Sequence, residues 1–342
     1  MNLKELSERL GLSQTTVSRA LNGYPEVGEA TRERVLVAAK LYNYNPNSRA
    51  KALATGRAMV IGHVLPATPT NELMSPIFGD FLAGAANVYQ EMGYDLMLSL
   101  VTDDRQEDAY RRLATTGSVD GVIVHSPRVN DRRIDMLNKI GLPFVVHGRA
   151  SEVACSYNWV DISNRRAFRR AAGFLIDLGH RRIGLINGID GMDYALRRHH
   201  GYLDALATAG IEMDPDLICG GEMTEIHGYT EARRMLSLKN RPTALLVSSM
   251  ISAVGARRAI FEAGLVLGKD ISVITHDDDL SYMKNGEDVP IFTSTKSPVG
   301  EAARVTAEAI IDLIKRPSME PINHLIEAHL VVGQSTGPAP QN

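Results

Sequence analysis

The sequence predicts an α/β protein in which an all-α helix-turn-helix headpiece and a hinge helix precede a two-lobed core of doubly wound parallel sheets. The chain has 342 residues, of which 44% are hydrophobic, enough for a core in each of two or three units. From Met59 onward short apolar runs alternate with longer helical patterns, as in βαβ units. Residues 1–57 hold nine Lys or Arg and five Asp or Glu, so the front is basic and the remaining chain is acidic.

Residues 1–45 are expected to form the headpiece. Its first helix carries leucines at helical spacing and ends at Gly11, and Ser13 is a suitable N-cap for a second helix that ends at Asn22-Gly23. A third helix, from about Glu29 to Tyr42, covers the first two. The expected inward side chains of the three helices are, in order, Leu3, Leu6 and Leu10; Val17, Ala20 and Leu21; and Val35, Ala38, Ala39 and Tyr42.

The outer face of the second helix carries Gln14, Thr15, Ser18 and Arg19, all able to hydrogen-bond and none acidic. The major groove of DNA admits one α-helix, and Gln or Arg side chains can form paired hydrogen bonds with adenine or guanine edges there. A merely solvated helix face usually mixes both signs of charge. This face therefore favours DNA recognition.

Residues 46–57 are expected to form a hinge. Pro46 begins a short polar helix with one strongly apolar residue, Leu53, and such a helix is marginal by itself. The two segments LSQTTVSRALNG and NYNPNSRAKAL resemble the headpiece and hinge of the lactose/galactose repressor (LacI/GalR) family. The resemblance continues through LGHRRIGLI, RPTALLVSS and GKDISVITHDDD, and it covers essentially the whole chain.

The resemblance implies that two hinges fold together on operator DNA and that Leu53 is wedged into the minor groove at its centre. The alternative is a linker leucine that packs on the core. Gln14, Thr15 and Arg19 match positions that read bases, although the family's common Tyr-Gln pair is Gln14-Thr15 here and its usual serine after Val27 is Gly28. The remaining expected DNA contacts, mostly to the backbone, are Ser13, Thr16, Ser18, Asn22, Thr31, Tyr44, Asn47 and Ala50.

The body is expected to span residues 58–335, followed by a flexible tail at 336–342. Its predicted strands are MVIGHVL, YDLMLSL, DGVIVHS and PFVVHG in one series and RRIGLIN, TALLVSS and DISVITHD in a second. Predicted helices lie around Phe78–Glu91, Glu107–Thr115, Ile134–Lys139, Arg165–Leu178, Leu196–Ala209, Thr230–Leu238 and Ala253–Ala263. The sequence thus indicates two similar halves.

The family resemblance implies a core similar to periplasmic sugar-binding proteins, in which the chain crosses between the lobes three times. The first lobe is expected to contain about 58–158 and 291–320, and the second about 159–290 and 321–335. Accordingly, the stretch from about Phe292 to Arg316 should return to the first lobe and the strand HLVVG to the second. Ligands of such folds bind at the carboxyl ends of strands, here in the cleft between the lobes.

Two charged residues match the family's sugar-binding positions: Asp277, after a predicted strand, and Arg198, before Gly201-Tyr202. A carboxylate and a guanidinium provide the charge-assisted hydrogen bonds that suit a polyol. Phe78 matches a position that packs on the ligand, and core packing is an equal alternative for it. Asn71, His125, His147 and Asp161 lie at or just past strand ends and are further candidates, although simple solvation is the more common role there.

The predicted cleft also departs from the family pattern. An Asn-Asp pair common in the family is Ser249-Met250 here, and a common aromatic is Met223. The two methionines predict a softer cleft wall, which suits a larger sugar or a non-sugar effector.

Composition excludes several other classes. Cys155 and Cys219 have no zinc-site or disulfide spacing, and no cofactor or metal is expected. No HExxH, GxSxG or complete P-loop supports an enzyme, even with the His276-Asp277-Asp278-Asp279 run. No secretory leader or apolar run of about 18 residues is present, so a cytoplasmic protein is expected.

The sequence therefore predicts a repressor of carbohydrate-uptake or catabolic genes, not an enzyme. Its expected partners are double-stranded operator DNA, bound as a homodimer at an imperfect palindrome of roughly 14–20 base pairs, and a small effector, a mono- or oligosaccharide. The alternative is a sugar-binding protein of the transport type. The basic headpiece and hinge argue against that alternative, which predicts no salt-dependent DNA binding.

Overall fold

The computed structural model describes residues 1–21, 23–44, 56–66, 76–317 and 320–341. The chain divides into two compact units, Met1–Met59 and Val60–Asn342, each considered by itself below. Most of the predicted hinge, 46–55, lies outside the described residues.

The first unit contains α1 (Leu3–Leu10), α2 (Gln14–Leu21) and α3 (Glu29–Leu41). Asn2 and Glu5 form a capping box at the start of α1, and Gly11 ends α1 with a φ of 63°. The core agrees with the predicted stripes except at the end of α3. There Tyr42 is exposed and Tyr44 is buried, because the chain turns after α3 and brings Tyr44 back onto the core.

The second unit contains two six-stranded sheets. The first sheet has the order β11-β5-β4-β3-β1-β2, and all its pairs are parallel. In chain order its strands are β1 (Val60–Pro66), β2 (Asp95–Val101), β3 (Gly121–His125), β4 (Phe144–His147), β5 (Asn158–Ile162) and β11 (Asn323–Ile326). The helices joined to this sheet are α4 (Pro76–Glu91), α5 (Gln106–Thr116), α6 (Arg132–Ile140) and α11 (Val299–Lys315).

The second sheet has the order β12-β10-β9-β8-β6-β7, and only the β10–β12 pair is antiparallel. Its strands are β6 (Ile183–Ile186), β7 (Ile218–Cys219), β8 (Ala244–Val247), β9 (Ser272–Asp277), β10 (Thr293–Lys296) and β12 (His329–Val331). Its helices are α7 (Asn164–Asp177), α8 (Asp193–Thr208), α9 (Glu225–Leu236) and α10 (Met250–Glu262). Within the described chain no helix has the length and apolar character needed to cross a membrane.

The sheets correct the predicted lobe limits at three strands. β5 belongs to the first sheet, although residues from 159 onward were expected in the second lobe. β10 pairs with β9 in the second sheet, and β11 pairs with β5 in the first. These short strands carry polar residues and lack the apolar runs of central strands, so only their sheet partners reveal where they belong.

The residues after 335 correct the prediction of a flexible tail. Thr336 Oγ1 lies 2.7 Å from Thr293 Oγ1, and the backbone N–H of Ala339 donates to Leu178 O at 2.8 Å. Gly337 accepts from and donates to the Ser272 hydroxyl. The tail therefore packs along the second lobe through at least Ala339, because these polar contacts anchor it despite its Pro- and Gly-rich composition.

Two helix pairs of the second lobe approach so closely that only glycine fits between them. A Cβ atom at Gly255 of α10 would overlap the carbonyl oxygen of Glu225, and one at Gly228 of α9 would overlap that of Ser252. A Cβ at Gly201 of α8 would overlap the carbonyl oxygen of Arg165 on α7. These close backbone contacts set the spacing between α9 and α10 and between α7 and α8 in the second lobe.

Candidate nucleic-acid interface and effector cleft

The α2 helix presents the predicted recognition face. The Ser13 hydroxyl accepts a hydrogen bond from Thr16 N at 3.0 Å and lies 2.8 Å from the Thr16 hydroxyl, so Ser13 is the N-cap of α2. Gln14, Thr15 and Arg19 are exposed, whereas Val17 and Ala20 are buried. The burial of one stripe therefore turns the polar face outward, and Ser18 lies half-buried on it.

The other predicted DNA contacts differ in the exposure of their side chains. Thr31 lies half-buried in the first turn of α3. Tyr44 is only 8% exposed and packs in the headpiece core, so it supports the fold of this unit. Asn22, Asn47, Ala50, Leu53 and, in the body, Asn71 lie outside the described residues.

The cleft of the body is bounded by the carboxyl ends of parallel strands in the two sheets. Arg198 of α8 is buried there, its guanidinium about equally distant from the rings of Phe168 and Tyr194, at 5.1 Å from each centroid. Its Nε donates to Asn164 Oδ1 and its Nη1 to Ser248 O, each at 2.7 Å. Among the described residues it forms no ion pair, so part of this guanidinium remains available to a ligand.

Among the carboxylates near Arg198, Asp278 has the largest electrostatic effect, and Asp161 also contributes. Burial lowers the pKa of Arg198, and Asp278 opposes that effect. The Asp277 side chain instead accepts from Asp279 N at 2.8 Å, at the start of the following loop. The two neighbouring aspartates thus have different partners: the loop backbone for Asp277, and the side chains of His276 and Arg198 for Asp278.

Asp278 is charged in this setting. It lies 3.5 Å from His276 Nε2, and burial opposes its ionisation, yet His276 and Arg198 together lower its pKa. A buried anion and a buried cation that are not in contact with each other thus share one side of the cleft. Neutral hydroxyl groups between them can accept from one and donate to the other.

The first lobe contributes aromatic and imidazole rings. His125 at the end of β3 and His147 at the end of β4 are brought together, with ring centroids 5.8 Å apart. Phe81 packs on both histidines, and Phe78 meets His125 edge-on at 5.0 Å. The sequence reasoning missed His63, a lone polar residue inside an apolar strand run, which was the available signal for it.

The other predicted cleft residues have structural partners. Asp161 is buried against Arg149 at 2.6 Å, and burial outweighs this pairing so that the pKa of Asp161 is raised. The Ser249 hydroxyl accepts from Ser252 N and caps α10. Met250 is buried in the second-lobe core, so of the two methionines expected in the cleft wall only Met223 remains partly exposed.

Two carboxylates connect the lobes directly, a feature that the sequence did not reveal. Asp193 at the start of α8 accepts from Ser151 N at 2.7 Å and from the Ser151 hydroxyl, and it pairs with Arg197. Asp80 of α4 accepts from Ser281 N and from its hydroxyl, each at 2.6 Å. These serine–aspartate contacts hold the two lobes together on either side of the cleft.

A polar cavity of about 260 Å³ opens at the carboxyl ends of β1 and β3. Its charged lining includes Asp103, Asp104, Glu107, Arg128 and Arg132, with His125 at the first sheet and Met192 from the second lobe. Among the described residues no cluster of three or more His, Cys, Asp or Glu side chains is arranged to hold a metal ion.

The buried histidines predict acid sensitivity of the body. Burial, assisted by His147, lowers the pKa of His63 to about 3, whereas the unfolded chain takes up this proton near pH 6.5. The contribution of neutral His63 to the free energy of unfolding is complete above pH 6.5. It is lost progressively as the pH falls from there towards 3. Between pH 7 and pH 5 we expect His63 alone to lower the free energy of unfolding by about 2 kcal/mol.

Urea denaturation of the wild type and of His63→Gln at both pH values measures this effect. The variant should show a smaller difference between pH 7 and pH 5, whatever its absolute stability. His200→Gln, at an exposed position of α8, should retain the wild-type difference. Equal pH dependence in His63→Gln and the wild type would exclude His63 as its source.

A helical unit with an outward polar recognition face, followed by a two-lobed body with a charged cleft, defines a ligand-controlled DNA-binding regulator. Residues 2–47 match the bacterial regulatory proteins of the lacI family, and residues 172–336 match the periplasmic binding protein-like domain. The chain is 46% identical to the HTH-type transcriptional regulator AglR of Rhizobium meliloti (strain 1021), over 99% of this chain and 95% of that protein. This protein belongs to the LacI family of transcriptional regulators, and it is not an enzyme.

Other relatives agree with this assignment. The HTH-type transcriptional regulator RafR of Escherichia coli is 33% identical over 94% of each chain. A Lac repressor dimer bound to operator and the anti-inducer ONPF superposes with a TM-score of 0.83, 26% identity and coverage of 98% of this chain and 99% of that chain. A complex of the regulator CelR with cellobiose gives a TM-score of 0.73, 28% identity and coverage of 98% and 99%.

Proposed function

We propose that this chain is a cytoplasmic repressor of carbohydrate-uptake or catabolic genes that binds a palindromic operator as a homodimer and is released by a sugar in the cleft. The observation that carries the effector assignment is Arg198, a buried guanidinium with unused donors near the carboxylate of Asp278. A site of this kind penalises any ligand that lacks matching hydroxyl groups. The cellobiose bound to the related CelR supports a sugar of similar chemistry.

For the effector site we propose Arg198, Asp278, Phe78, His125 and His147 as the direct contacts. Asn71 and Met223 are further candidates, and Asp161, Ser249 and Asp277 act by holding their neighbours in place. Phe78, which meets His125 edge-on, supplies the aromatic ring on which the apolar face of a sugar packs. Closing of the lobes around the sugar changes the positions of the two hinges, with a coupling free energy of about 1–3 kcal/mol.

For DNA we propose that Gln14, Thr15 and Arg19 read bases and that Leu53 is the minor-groove wedge. Backbone contacts come from Ser13, Thr16, Ser18, Asn22, Thr31, Asn47 and Ala50. The exposed polar face of α2 supports this assignment, whereas the burial of Tyr44 leaves at most its hydroxyl for a phosphate.

The homodimer is supported by exposed apolar side chains on two parts of the body. Leu98 and Leu100 lie on β2, the edge strand of the first sheet, and both are exposed. Ile226 on α9 and Phe261 on α10 are 71% and 80% exposed. Burial of such residues in a two-fold contact would stabilise the dimer, and the Lac repressor relative binds its operator as a dimer.

We expect Arg19→Ala to weaken binding to the selected operator by about 1–3 kcal/mol and to relax the preference at one base pair in each half-site. The operator is first isolated from a random duplex pool with the wild-type protein, and affinities are then measured by fluorescence anisotropy at two salt concentrations. The control, Lys40→Ala, removes an exposed cation near the end of α3 and should change affinity by less than about 0.5 kcal/mol.

Failure of the wild type to select any duplex, or unchanged affinity and specificity in Arg19→Ala, would contradict the proposed recognition by α2. The effector is sought separately with a panel of glucose, galactose, cellobiose, maltose, sucrose and raffinose. A sugar that binds only the folded protein raises its unfolding temperature and lowers its affinity for the selected operator.

A further inference from the structure

A chain of hydrogen bonds crosses the first lobe beneath the cleft. Tyr89 Oη on α4 lies 3.1 Å from His63 Nε2 on β1, and His63 Nδ1 lies 2.9 Å from His125 Nε2 on β3. All three side chains are buried, with exposed fractions of 1%, 0% and 4%. Water therefore cannot substitute freely for any of these contacts.

The phenol of Tyr89 determines which atoms donate and which accept along these hydrogen bonds. Among the described residues His63 is the single hydrogen-bond partner of Tyr89. If His63 donated to the phenol oxygen, the buried O–H of Tyr89 would have no acceptor, and leaving a buried donor unpaired is costly. Tyr89 therefore donates to His63 Nε2.

The positions of the ring protons of His63 and His125 then follow. Burial lowers the pKa of His63 to about 3 and places the pKa of His125 well below its usual value, so each ring is neutral and carries a single N–H. Since His63 accepts at Nε2, its proton is on Nδ1 and is donated to His125 Nε2. The proton of His125 is therefore on Nδ1, the ring nitrogen that the chain does not use.

We infer that Tyr89 and His63 are positioning residues that fix His125 as its Nδ1–H tautomer, so that His125 donates a hydrogen bond to an acceptor oxygen of the effector. This inference rests on the proposed function, because it concerns the same effector site. A neutral histidine without such partners offers either a donor or an acceptor at this nitrogen. The hydrogen bonds from Tyr89 through His63 leave only the donor role at His125 Nδ1. This nitrogen therefore selects ligands with an acceptor at that point.

The surroundings of His125 restrict the ligand further. His125 lines the cavity of about 260 Å³, whose other polar side chains include the carboxylates of Asp103 and Asp104 and the guanidinium of Arg128. Asp103 and Arg128 already pair with each other at 2.9 Å. A hydroxyl, ring or glycosidic oxygen satisfies the His125 donor, whereas an ammonium group, which can only donate, does not. The site thus favours neutral sugars over amino sugars that bear an ammonium at this point.

The tautomer is measured directly by NMR on the full-length protein labelled with ¹⁵N-histidine. Long-range ¹H–¹⁵N correlations distinguish protonated from unprotonated ring nitrogens, and loss of a signal in His63→Gln and His125→Gln assigns the two rings. We expect protonated Nδ1 and unprotonated Nε2 in both His63 and His125. A His125 ring protonated at Nε2 would overturn the inference.

Tyr89→Phe tests the role of the phenol, since it removes one oxygen and retains the ring. We expect His125 to lose its single tautomer and to show protonation at both nitrogens in exchange. Tyr110→Phe, at an equally buried tyrosine of α5 in the same lobe, should leave the His125 signals unchanged. An unchanged His125 tautomer in Tyr89→Phe would show that the phenol does not fix it and would overturn the inference.

The same variants are then titrated with each panel sugar that stabilises the wild type. Tyr89→Phe should weaken binding about 5- to 10-fold, the effect of one poorly oriented hydrogen bond, and Tyr110→Phe should not. Equal affinities of Tyr89→Phe and the wild type would overturn the donor role of His125. If no sugar of the panel binds, the proposed sugar effector fails, and the NMR result still decides the tautomer.

Discussion

Arg198→Met is expected to abolish the response to a sugar effector with only a small effect on the stability of the ligand-free protein. Arg198 is buried, its nitrogens donate to Asn164 and Ser248 O, and among the described residues it forms no ion pair. Burying a cation without an ion-pair partner is costly, and replacing it by an apolar side chain of similar length relieves that cost. The buried carboxylate of Asp278, however, loses the cation that lowers its pKa. The two effects oppose each other, so we expect only a small change in the unfolding temperature without ligand.

Ligand binding should change much more than ligand-free stability. The Arg198 donors that remain available can form charge-assisted hydrogen bonds with hydroxyl groups, and loss of two such bonds weakens binding by about 100-fold. Thermal unfolding and operator release with each stabilising sugar of the panel measure both quantities. The methionine introduced by Arg198→Met can keep the packing between the Phe168 and Tyr194 rings, so the variant should remain folded.

The neighbouring arginine provides a matched contrast. Arg197 pairs with the buried Asp193, which also holds Ser151 across the cleft. Arg197→Met should therefore lower the unfolding temperature, because it leaves Asp193 buried without its cation, and it should retain a sugar-induced shift. Undiminished sugar binding by Arg198→Met, or a large loss of its ligand-free stability, would contradict the assignment of Arg198 as a ligand-binding residue.

Gly255→Ala is expected to destabilise the second lobe by about 3 kcal/mol or more. The added methyl group would overlap the carbonyl oxygen of Glu225 and approach the backbone nitrogen of Tyr229. Neither is the movable end of a side chain, so α9 and α10 must separate and lose their packing. Urea denaturation followed by circular dichroism measures the loss.

Gly173→Ala is the control, because Gly173 also lies within a helix, α7, and a Cβ there meets no neighbouring atom within 4 Å. Alanine favours the helix over glycine, so this variant should be more stable by roughly 0.5–1 kcal/mol. Equal stabilities of Gly255→Ala and Gly173→Ala would show that α9 and α10 tolerate a wider spacing.

Part of the proposed effector site follows from the sequence alone. Arg198, His125 and His147 could be selected because polar residues that follow buried strands, or that match a family motif, collect at the same edge of a parallel sheet. Asp277 was selected because it matches a family position, whereas the proximity of Asp278 to His276 and Arg198 is visible only in the structure. Met250 was placed in the cleft wall but is buried in the core beneath it.

The sequence by itself determined the class of protein, the three headpiece helices, the polar face of α2 and the central strands of both sheets. The class of protein follows from the family resemblance, whereas the other features depend on local periodicity and caps, which short segments encode. Only the tertiary structure decided the sheet that receives β5, β10 and β11, the serine–aspartate contacts between the lobes and the Tyr89–His63–His125 chain. Those features join residues distant in sequence, and such pairings are set by packing rather than by local propensity.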